Sequence, residues 1–220
     1  MNVLITGSAS GIGLECVRKF LSEGHTVFGI DIQPLTDSLG EYKNKYFHVL
    51  ADVRNKESLP NSRYIDILIN NAGAQNSEDD IDTNLKGLIN TTEKYGLQPK
   101  IKSIVNMASV SAHTGAEFPR YAASKGGVLA YTKWTANEIA KYGATCNSLS
   151  FGGVSTSLNE SVMKDREKWS EIMRLTPLKK WATPQEAAEW TYFISVINKS
   201  MTGQDIIIDN GETSKTNFVW

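Results

Sequence analysis

Short apolar runs alternate along this chain with longer segments in which apolar residues recur every three or four positions. Runs rich in β-branched residues are typical of buried strands, and the wider spacing is typical of amphipathic helices. Strands that alternate with helices predict an α/β fold with a parallel sheet covered on both faces. The predicted strands are Val3–Thr6, Thr26–Asp31, Tyr46–Leu50, Ile65–Ile69, Ile101–Met107, Ala144–Leu149 and Asp205–Asp209.

Three helical patterns bear on function. The longest predicts a helix over Pro119–Tyr142, which begins at a favoured first helical residue and stops before Gly143. A second helix is predicted from Asp82 toward Tyr95. A third pattern lies within Ser155–Leu175, which we expect to be a mobile lid that excludes water from bound substrate. A stably packed helix is the alternative for this segment.

A glycine-rich turn, Gly7-Ser-Ala-Ser-Gly11-Ile-Gly13, joins the first strand to the first helix. Gly7 permits a tight turn, Gly11 lets the backbone approach a pyrophosphate, and Gly13 lets the helix pack closely on the strand. The first helical N–H groups and the helix dipole then face the phosphates. The turn predicts a dinucleotide site, although glycine-rich turns without a ligand also exist.

Tyr121 and Lys125 are four residues apart in the longest helix, so they lie on the same face one turn from each other. A tyrosine with its ordinary pKa near ~10 exchanges protons poorly at neutral pH. A neighbouring ammonium stabilises the phenolate and so lowers the pKa of the tyrosine. The pair therefore predicts a general acid/base. A surface tyrosine and lysine on an amphipathic helix are the alternative.

Taken together, the motifs resemble those of the short-chain dehydrogenase/reductase family. The resemblance extends from Thr6 to Gly211, and it implies a single Rossmann-like domain over residues 1–220 with a seven-stranded parallel sheet and helices on both faces. The motifs that carry it are, in order, Thr6-Gly-Ser-Ala-Ser-Gly-Ile-Gly13, Asp52-Val53, Asn70-Asn-Ala-Gly73, Asn84, Ser109, Tyr121-x-x-x-Lys125 and Met201-Thr-Gly-Gln204.

The resemblance implies a catalytic tetrad of Asn84, Ser109, Tyr121 and Lys125. Tyr121 would exchange a proton with the substrate oxygen, which Ser109 would orient by a hydrogen bond. Lys125 would tune Tyr121 and hold the nicotinamide ribose, and Asn84 would anchor a water that passes protons to solvent. The expected cofactor-binding residues are Gly7, Ser10, Gly11, Ile12, Gly13, Asp31, Asp52, Val53, Asn71, Ala72, Gly73, Tyr121, Lys125, Val154 and Thr156.

The chain departs from the family pattern in three places. Phe151 stands where the family usually has a proline before the glycine that follows the sixth strand. The segment between Gly73 and Asn84 is short, which predicts a reduced wall of the substrate cleft. The stretch from Val53 to Tyr64 is short as well.

The favoured function is an NAD(H)-dependent oxidoreductase that moves a hydride between the nicotinamide and a secondary alcohol or ketone. Asp31 predicts NAD(H), because a carboxylate at the end of the second strand can bind both ribose hydroxyls and repels a 2′-phosphate. The residues that follow it, Ile32, Gln33 and Pro34, supply no cation. A helix cap or a solvated turn residue is the alternative for a lone aspartate.

Two other functions remain open. One is a 3-oxoacyl-carrier-protein reductase, for which Lys164, Arg166 and Lys168 would form a basic patch, although Asp165 and Glu167 alternate with them. The other is a dinucleotide-binding sensor without catalysis. The intact tetrad argues against a sensor, since a protein that only binds has no need of the tyrosine and lysine.

Composition narrows the partners. A net charge of -1 over 220 residues gives no basic surplus for nucleic acid, and no apolar stretch is long enough to cross a membrane. The N-terminus lacks a signal-peptide pattern, so a cytoplasmic location is expected. Cys16 and Cys146 are isolated in the sequence, and we expect no metal.

We expect a homo-oligomer, either a dimer or a tetramer. The helices Pro119–Tyr142 and Asp82–Tyr95 would form its interface, since the first carries Val128, Leu129, Tyr131 and Trp134. The apolar end of the tail Thr213–Trp220 would pack on a neighbouring subunit.

Overall fold

The computed structural model describes residues 1–61, 64–116 and 118–214. Seven parallel strands form one sheet in the order β3-β2-β1-β4-β5-β6-β7, which confirms the predicted seven-stranded parallel α/β fold. The strands are β1 Asn2–Thr6, β2 Thr26–Asp31, β3 Tyr46–Leu50, β4 Ile67–Asn70, β5 Ser103–Met107, β6 Thr145–Phe151 and β7 Asp205–Ile208.

Strands β4 and β5 begin later than their apolar runs predict. Ile65 and Ile101 precede the strands and are nonetheless buried, because they pack beneath the sheet in the same core cluster as Leu68 and Ile104. The apolar runs therefore predicted correctly which residues are buried, but they placed the beginning of each strand too early.

The α-helices are α1 Gly11–Ser22, α2 Leu88–Thr91, α3 Ser111–Thr114, α4 Pro119–Ala140, α5 Glu160–Lys164, α6 Arg166–Leu175 and α7 Pro184–Tyr192. Wider, π-helical turns flank α2 at Asp82–Gly87 and Thr92–Gly96, so the second predicted helix is one helical segment with wide ends. A further π-helical turn, Phe193–Ile197, extends α7, and short 3₁₀ turns occur at Gly40–Lys45, Lys56–Ser58 and Ser157–Asn159.

Helices cover both faces of the sheet, as the near-continuous apolar character of its central strands requires. Helices α1 and α7 pack together on one face, where Phe20 and Val17 contribute to the larger core. Helix α4 covers the other face through residues such as Ile139. Among the described residues, no helix is long and apolar enough to cross a membrane.

The strand order places a crevice at the carboxyl ends of β1 and β4. Connections leave these neighbouring strands toward opposite sides of the sheet, which is the usual place for a ligand in open α/β folds. The Thr6 hydroxyl at the end of β1 accepts hydrogen bonds from the N–H groups of Asn71 and Ala72, both at 3.0 Å. The glycine turn and the segment after β4 are thereby held side by side.

Two predictions outside the sheet have mixed outcomes. Helices α5 and α6 form within the expected lid, but neither contains a buried residue, and Trp169 meets the edge of Trp181 at 4.9 Å between ring centroids. The lid motion itself stays a prediction.

The proposed interface residue Val128 was wrongly assigned, because it is fully buried within the chain against Leu88 and Ala108. The tail's apolar end, Phe218–Trp220, lies outside the described residues.

Candidate active site

A cavity of about 830 Å³ runs along the carboxyl edge of the sheet, from β2 and β3 to the loops after β6 and β7. Every site residue that the sequence predicts lines this cavity except Gly13 and Asn84, which lie behind its wall. The cavity also has wall residues that the sequence did not single out, above all Arg54, Trp181 and Glu212.

The glycine turn is shaped by close backbone contacts. Gly7 has a φ of 65°, and a Cβ atom there would lie 2.8 Å from Ala72 Cα. A Cβ on Gly13 would lie 1.9 Å from the Gly7 carbonyl oxygen, so Gly13 allows α1 to pack against the turn. Ser10 directly precedes α1 and makes no capping hydrogen bond through its side chain, which leaves the first helical N–H groups to a ligand.

The Asp31 carboxylate lies in the cavity wall with a fixed orientation. One oxygen accepts the Ala9 N–H at 2.9 Å, and the other accepts the Gln33 N–H at 2.9 Å. Each carboxylate oxygen can accept a further hydrogen bond, so the group remains able to bind hydroxyls. The contact with Ala9 also ties the glycine turn to the end of β2.

Arg54 is a wall residue that the sequence analysis missed. It forms a bidentate pair with Asp52, with Nη2 2.7 Å from Oδ2, and its Nη1 lies 2.6 Å from Asp79 Oδ2. The hydrogen bonds to Arg54 lower the pKa of Asp52, and the two carboxylates raise the pKa of the guanidinium. The signal available was its position two residues after Asp52, where an arginine can reach back to the carboxylate.

Tyr121 and Lys125 are brought together as predicted. Lys125 Nζ lies 5.5 Å from the centroid of the Tyr121 ring and donates a hydrogen bond to the Met107 carbonyl at 2.8 Å. Burial disfavours the charged ammonium and lowers the pKa of Lys125 to about 8, while the negative charge of Asp80 acts in the opposite direction. Both Tyr121 and Lys125 line the cavity.

Ser109 follows β5 and lines the same part of the cavity. Its hydroxyl donates to the Ser111 hydroxyl at 3.2 Å and accepts the Ser111 N–H at 3.2 Å. Helix α3 begins at Ser111, so its first turn fixes the position of the Ser109 hydroxyl.

Asn84 lies behind the wall, in the wide turn at Asp82–Gly87. Its Oδ1 accepts the Ala74 N–H at 2.7 Å, and its Nδ2 donates to the Ala74 carbonyl at 2.9 Å and to Ser124 Oγ at 3.0 Å. The position that a Cβ on Gly73 would take lies 3.1 Å from Asn84 Oδ1 and 3.9 Å from Lys125 Nζ. The side chains of Asn84 and Lys125 therefore both approach Gly73, and the role of Asn84 in holding a water stays a prediction.

The other end of the cavity is formed after β6 and β7. Phe151 is buried at the end of β6, and a Cβ on Gly153 would lie 2.0 Å from the Trp181 indole. The Glu212 carboxylate is half-buried there and accepts a hydrogen bond from the Thr176 hydroxyl at 3.1 Å. Burial raises the pKa of Glu212. Its position shortly after the last strand was the only sequence signal.

Comparison with known proteins agrees with this geometry. The sequence profile of the short chain dehydrogenases matches residues 1–167. The chain belongs to the short-chain dehydrogenase family.

One relative in this family is the 3-oxoacyl-[acyl-carrier-protein] reductase FabG of Chlamydia pneumoniae, 32% identical, with 96% of each chain covered. A solved structure of 4-hydroxyisoleucine dehydrogenase complexed with NADH is 30% identical, has a TM-score of 0.89, and the match covers 98% of this chain and 99% of that one. An Agrobacterium tumefaciens structure with bound NADP is 26% identical, with a TM-score of 0.88 and coverage of 97% and 96%. Family membership makes the chain an oxidoreductase, while its solved relatives carry either nicotinamide cofactor.

The residues present fit a nicotinamide dinucleotide. The uncapped start of α1 and the turn at Gly7 suit the phosphates, and Asp31 suits a ribose. Lys125 and Tyr121 lie further along the same cavity. The described residues contain no cluster of three or more histidine, cysteine or acidic side chains that could hold a metal ion.

Proposed function

We propose that the protein is an NAD(H)-dependent oxidoreductase that interconverts a secondary alcohol and a ketone, with Tyr121 as the general acid/base. The observation that supports this most strongly is the contact of Lys125 with Tyr121 in the wall of the cavity that begins at the glycine turn. A protein that only bound a dinucleotide would have no use for a buried lysine beside a tyrosine in this position.

The nicotinamide, when bound, supplies or accepts the hydride. Tyr121 donates a proton to the carbonyl oxygen during reduction and removes it from the alcohol during oxidation. Ser109 keeps the hydrogen bond that it accepts from the Ser111 N–H and turns its single O–H from the Ser111 hydroxyl toward the same substrate oxygen, where negative charge develops. The Lys125 ammonium favours the phenolate form of Tyr121 and leaves N–H groups to bind the nicotinamide ribose.

The preference for NAD(H) rests on Asp31. Its carboxylate is held toward the cavity by the N–H groups of Ala9 and Gln33, and a 2′-phosphate would bring like charges together in a partly desolvated site. Two arginines of the described residues on this side of the molecule are already paired, Arg54 with Asp52 and Asp79, and Arg18 with Glu15 and Asp37. Neither is therefore available to a phosphate without breaking its ion pairs.

The test is an absorbance assay with NADH and with NADPH against a panel of ketones and the corresponding alcohols. We expect turnover of at least one pair and a higher kcat/KM with NADH. Tight NADH binding without turnover of any compound would favour the dinucleotide sensor, and a preference for NADPH would contradict the assignment of Asp31.

A 3-oxoacyl-carrier-protein reductase is the second candidate, because the Chlamydia pneumoniae relative carries that name. The proposed basic patch is partly neutralised, since Lys164 pairs with Glu160 at 2.7 Å. The two candidate functions are separated by comparing kcat/KM for a 3-oxoacyl group on its carrier protein with kcat/KM for the same group on a small thiol. A carrier-bound substrate preferred by kcat/KM would favour this candidate.

A homo-oligomer also forms part of the proposal. Trp134 on α4 is 46% exposed and stacks on Tyr131, and β7 forms an edge of the sheet with Ile207 exposed. Large exposed apolar groups and an open sheet edge favour association. Light scattering at micromolar concentration should give a dimer or tetramer, and a monomer would contradict this part of the proposal.

A further inference from the structure

Asp80 is a buried carboxylate that the mechanism above does not use. Only 1% of its surface is exposed. One oxygen, Oδ1, accepts the Ser77 N–H at 3.1 Å and the Ser77 hydroxyl at 2.9 Å. The other, Oδ2, is buried and has no hydrogen-bond partner in the part of the chain that the structure describes. A buried carboxylate oxygen without a donor is costly, so its surroundings must compensate for the charge.

Lys125 is a buried cation in the same region of the protein. Asp80 lies one helical turn before Asn84, and the side chains of Asn84 and Lys125 both approach Gly73. The groups around Lys125 are Tyr121 on α4, the Met107 carbonyl on β5, and Asn84 and Asp80 in the segment before α2. Asp80 is the one carboxylate among the described residues whose charge acts on the ammonium.

Asp80 acts on Lys125 without touching it. Lys125 forms no contact ion pair with a described residue, and it donates a hydrogen bond to the Met107 carbonyl. A carboxylate in direct contact would occupy N–H groups that the proposed reaction needs for Tyr121 and the ribose. A carboxylate at longer range supplies the charge through a medium of low dielectric and leaves these donors available.

We propose that Asp80 is a positioning residue for the Tyr121–Lys125 pair, supplying the buried negative charge that keeps Lys125 protonated while its N–H groups remain available. This proposal rests on the proposed function, because a protonated Lys125 is needed only if Tyr121 acts as the general acid/base. The short segment between Gly73 and Asn84 makes the arrangement possible, since the tight turn from Ser77 to Asp80 directs this carboxylate inward.

The experiment measures Lys125 ionisation without using activity. The free energy of unfolding is measured from pH 6 to pH 10.5 for the wild type and for Lys125→Met, and the difference between them isolates Lys125. The pKa of Lys125 in the folded protein, about 8, lies below its unfolded value, so the unfolded chain binds more protons between these values. The destabilisation that buried Lys125 causes relative to Lys125→Met should therefore decrease as pH rises through this window.

The same pair is then compared in the Asp80→Asn background. Without the buried charge, the pKa of Lys125 falls further, and the window should begin at a pH lower by on the order of one unit. Asp82→Asn is the matched control, because Asp82 is exposed two residues away and pairs weakly with Lys86 at 3.7 Å. Its window should begin where the wild-type window begins. Asp80→Ser, which is smaller and also uncharged, gives the same comparison if the asparagine protein does not fold.

The activity readout is the pH profile of kcat with saturating NADH and ketone. The alkaline loss of activity should move to lower pH in Asp80→Asn by the same amount as the unfolding window, and not in Asp82→Asn. An unfolding window that begins at the same pH with and without Asp80 would overturn the proposal. A window that moves in a protein that turns over no substrate would uphold the charge coupling and contradict the oxidoreductase function instead.

Discussion

The two ends of the cavity are built differently. At the glycine-turn end, the backbone approaches closely at Gly7 and Gly13, and hydrogen bonds hold the carboxylates of Asp31 and Asp52. At the opposite end, the wall includes α6, a helix with no buried residue. A cofactor shared across a family requires a constant geometry, whereas a substrate end with few packing constraints can change without unfolding the domain.

The proposed chemistry lies where these two ends meet, so the largest effect is expected there. Tyr121→Phe removes the proton donor and keeps the ring that contacts Lys125. General acid catalysis supplies about 10²–10⁴ in rate, and we expect kcat to fall by about 10³-fold. NADH affinity, measured by fluorescence titration, should remain close to the wild-type value. Retention of most of the activity by this variant would refute the mechanism.

Ser109→Ala should have the next largest effect. It removes one hydrogen-bond donor to the substrate oxygen, and losses of this kind cost about 10²–10³ in kcat. Ser111→Ala is an informative companion, because Ser111 still donates its backbone N–H to Ser109 after the substitution. We expect a smaller loss for Ser111→Ala than for Ser109→Ala in steady-state kinetics, and the reverse order would assign the substrate contact to Ser111.

A substitution at the well-fixed end should alter selectivity more than rate. Asp31→Ser removes the carboxylate that would repel a 2′-phosphate, so kcat/KM with NADPH should rise by roughly tenfold, equivalent to about 1.4 kcal/mol. The value with NADH should fall by less. Asp82→Ser serves as the control, since Asp82 pairs with Lys86 and does not line the cavity. An unchanged cofactor ratio in Asp31→Ser would remove the basis for the NAD(H) assignment.

The sequence predicted the glycine-turn end of the cavity better than the opposite end. The glycine turn, Asp31 and the Tyr121–Lys125 pair were predictable because each needs a particular residue type at a particular spacing. The carboxyl ends of parallel strands then bring these residues to one edge of the sheet. Their presence in one cavity is accordingly what the structure shows, while their roles in binding and catalysis stay proposals.

Arg54, Asp80 and Glu212 were not predictable in the same way. The acidic sequence around Asp80 is typical of a solvated helix start, and only the fold shows that this carboxylate is buried. Glu212 lines the cavity and accepts a hydrogen bond from Thr176, which is distant in sequence. Val128 shows the opposite error, since an apolar helical position was assigned to an interface although it belongs to the core.

The smallest effect is expected from ligand binding at the loosely packed end. If α5 and α6 act as a lid, bound NADH and substrate should slow limited proteolysis within Ser155–Leu175 by several-fold without changing overall stability much. Trp169→Ala should weaken this protection, because Trp169 packs on Trp181 next to the cavity. Equal cleavage rates with and without ligands would show that the helices are stably packed.

The central claim is that this cavity transfers a hydride from NADH to a carbonyl carbon. The most direct measurement uses NADH that carries two deuterium atoms at the reactive nicotinamide carbon, with mass spectrometry of the alcohol formed from each ketone of the panel. We expect one deuterium on the carbinol carbon of at least one product formed by the wild-type protein. NADH binding at micromolar affinity with no deuterated product from any ketone would contradict it.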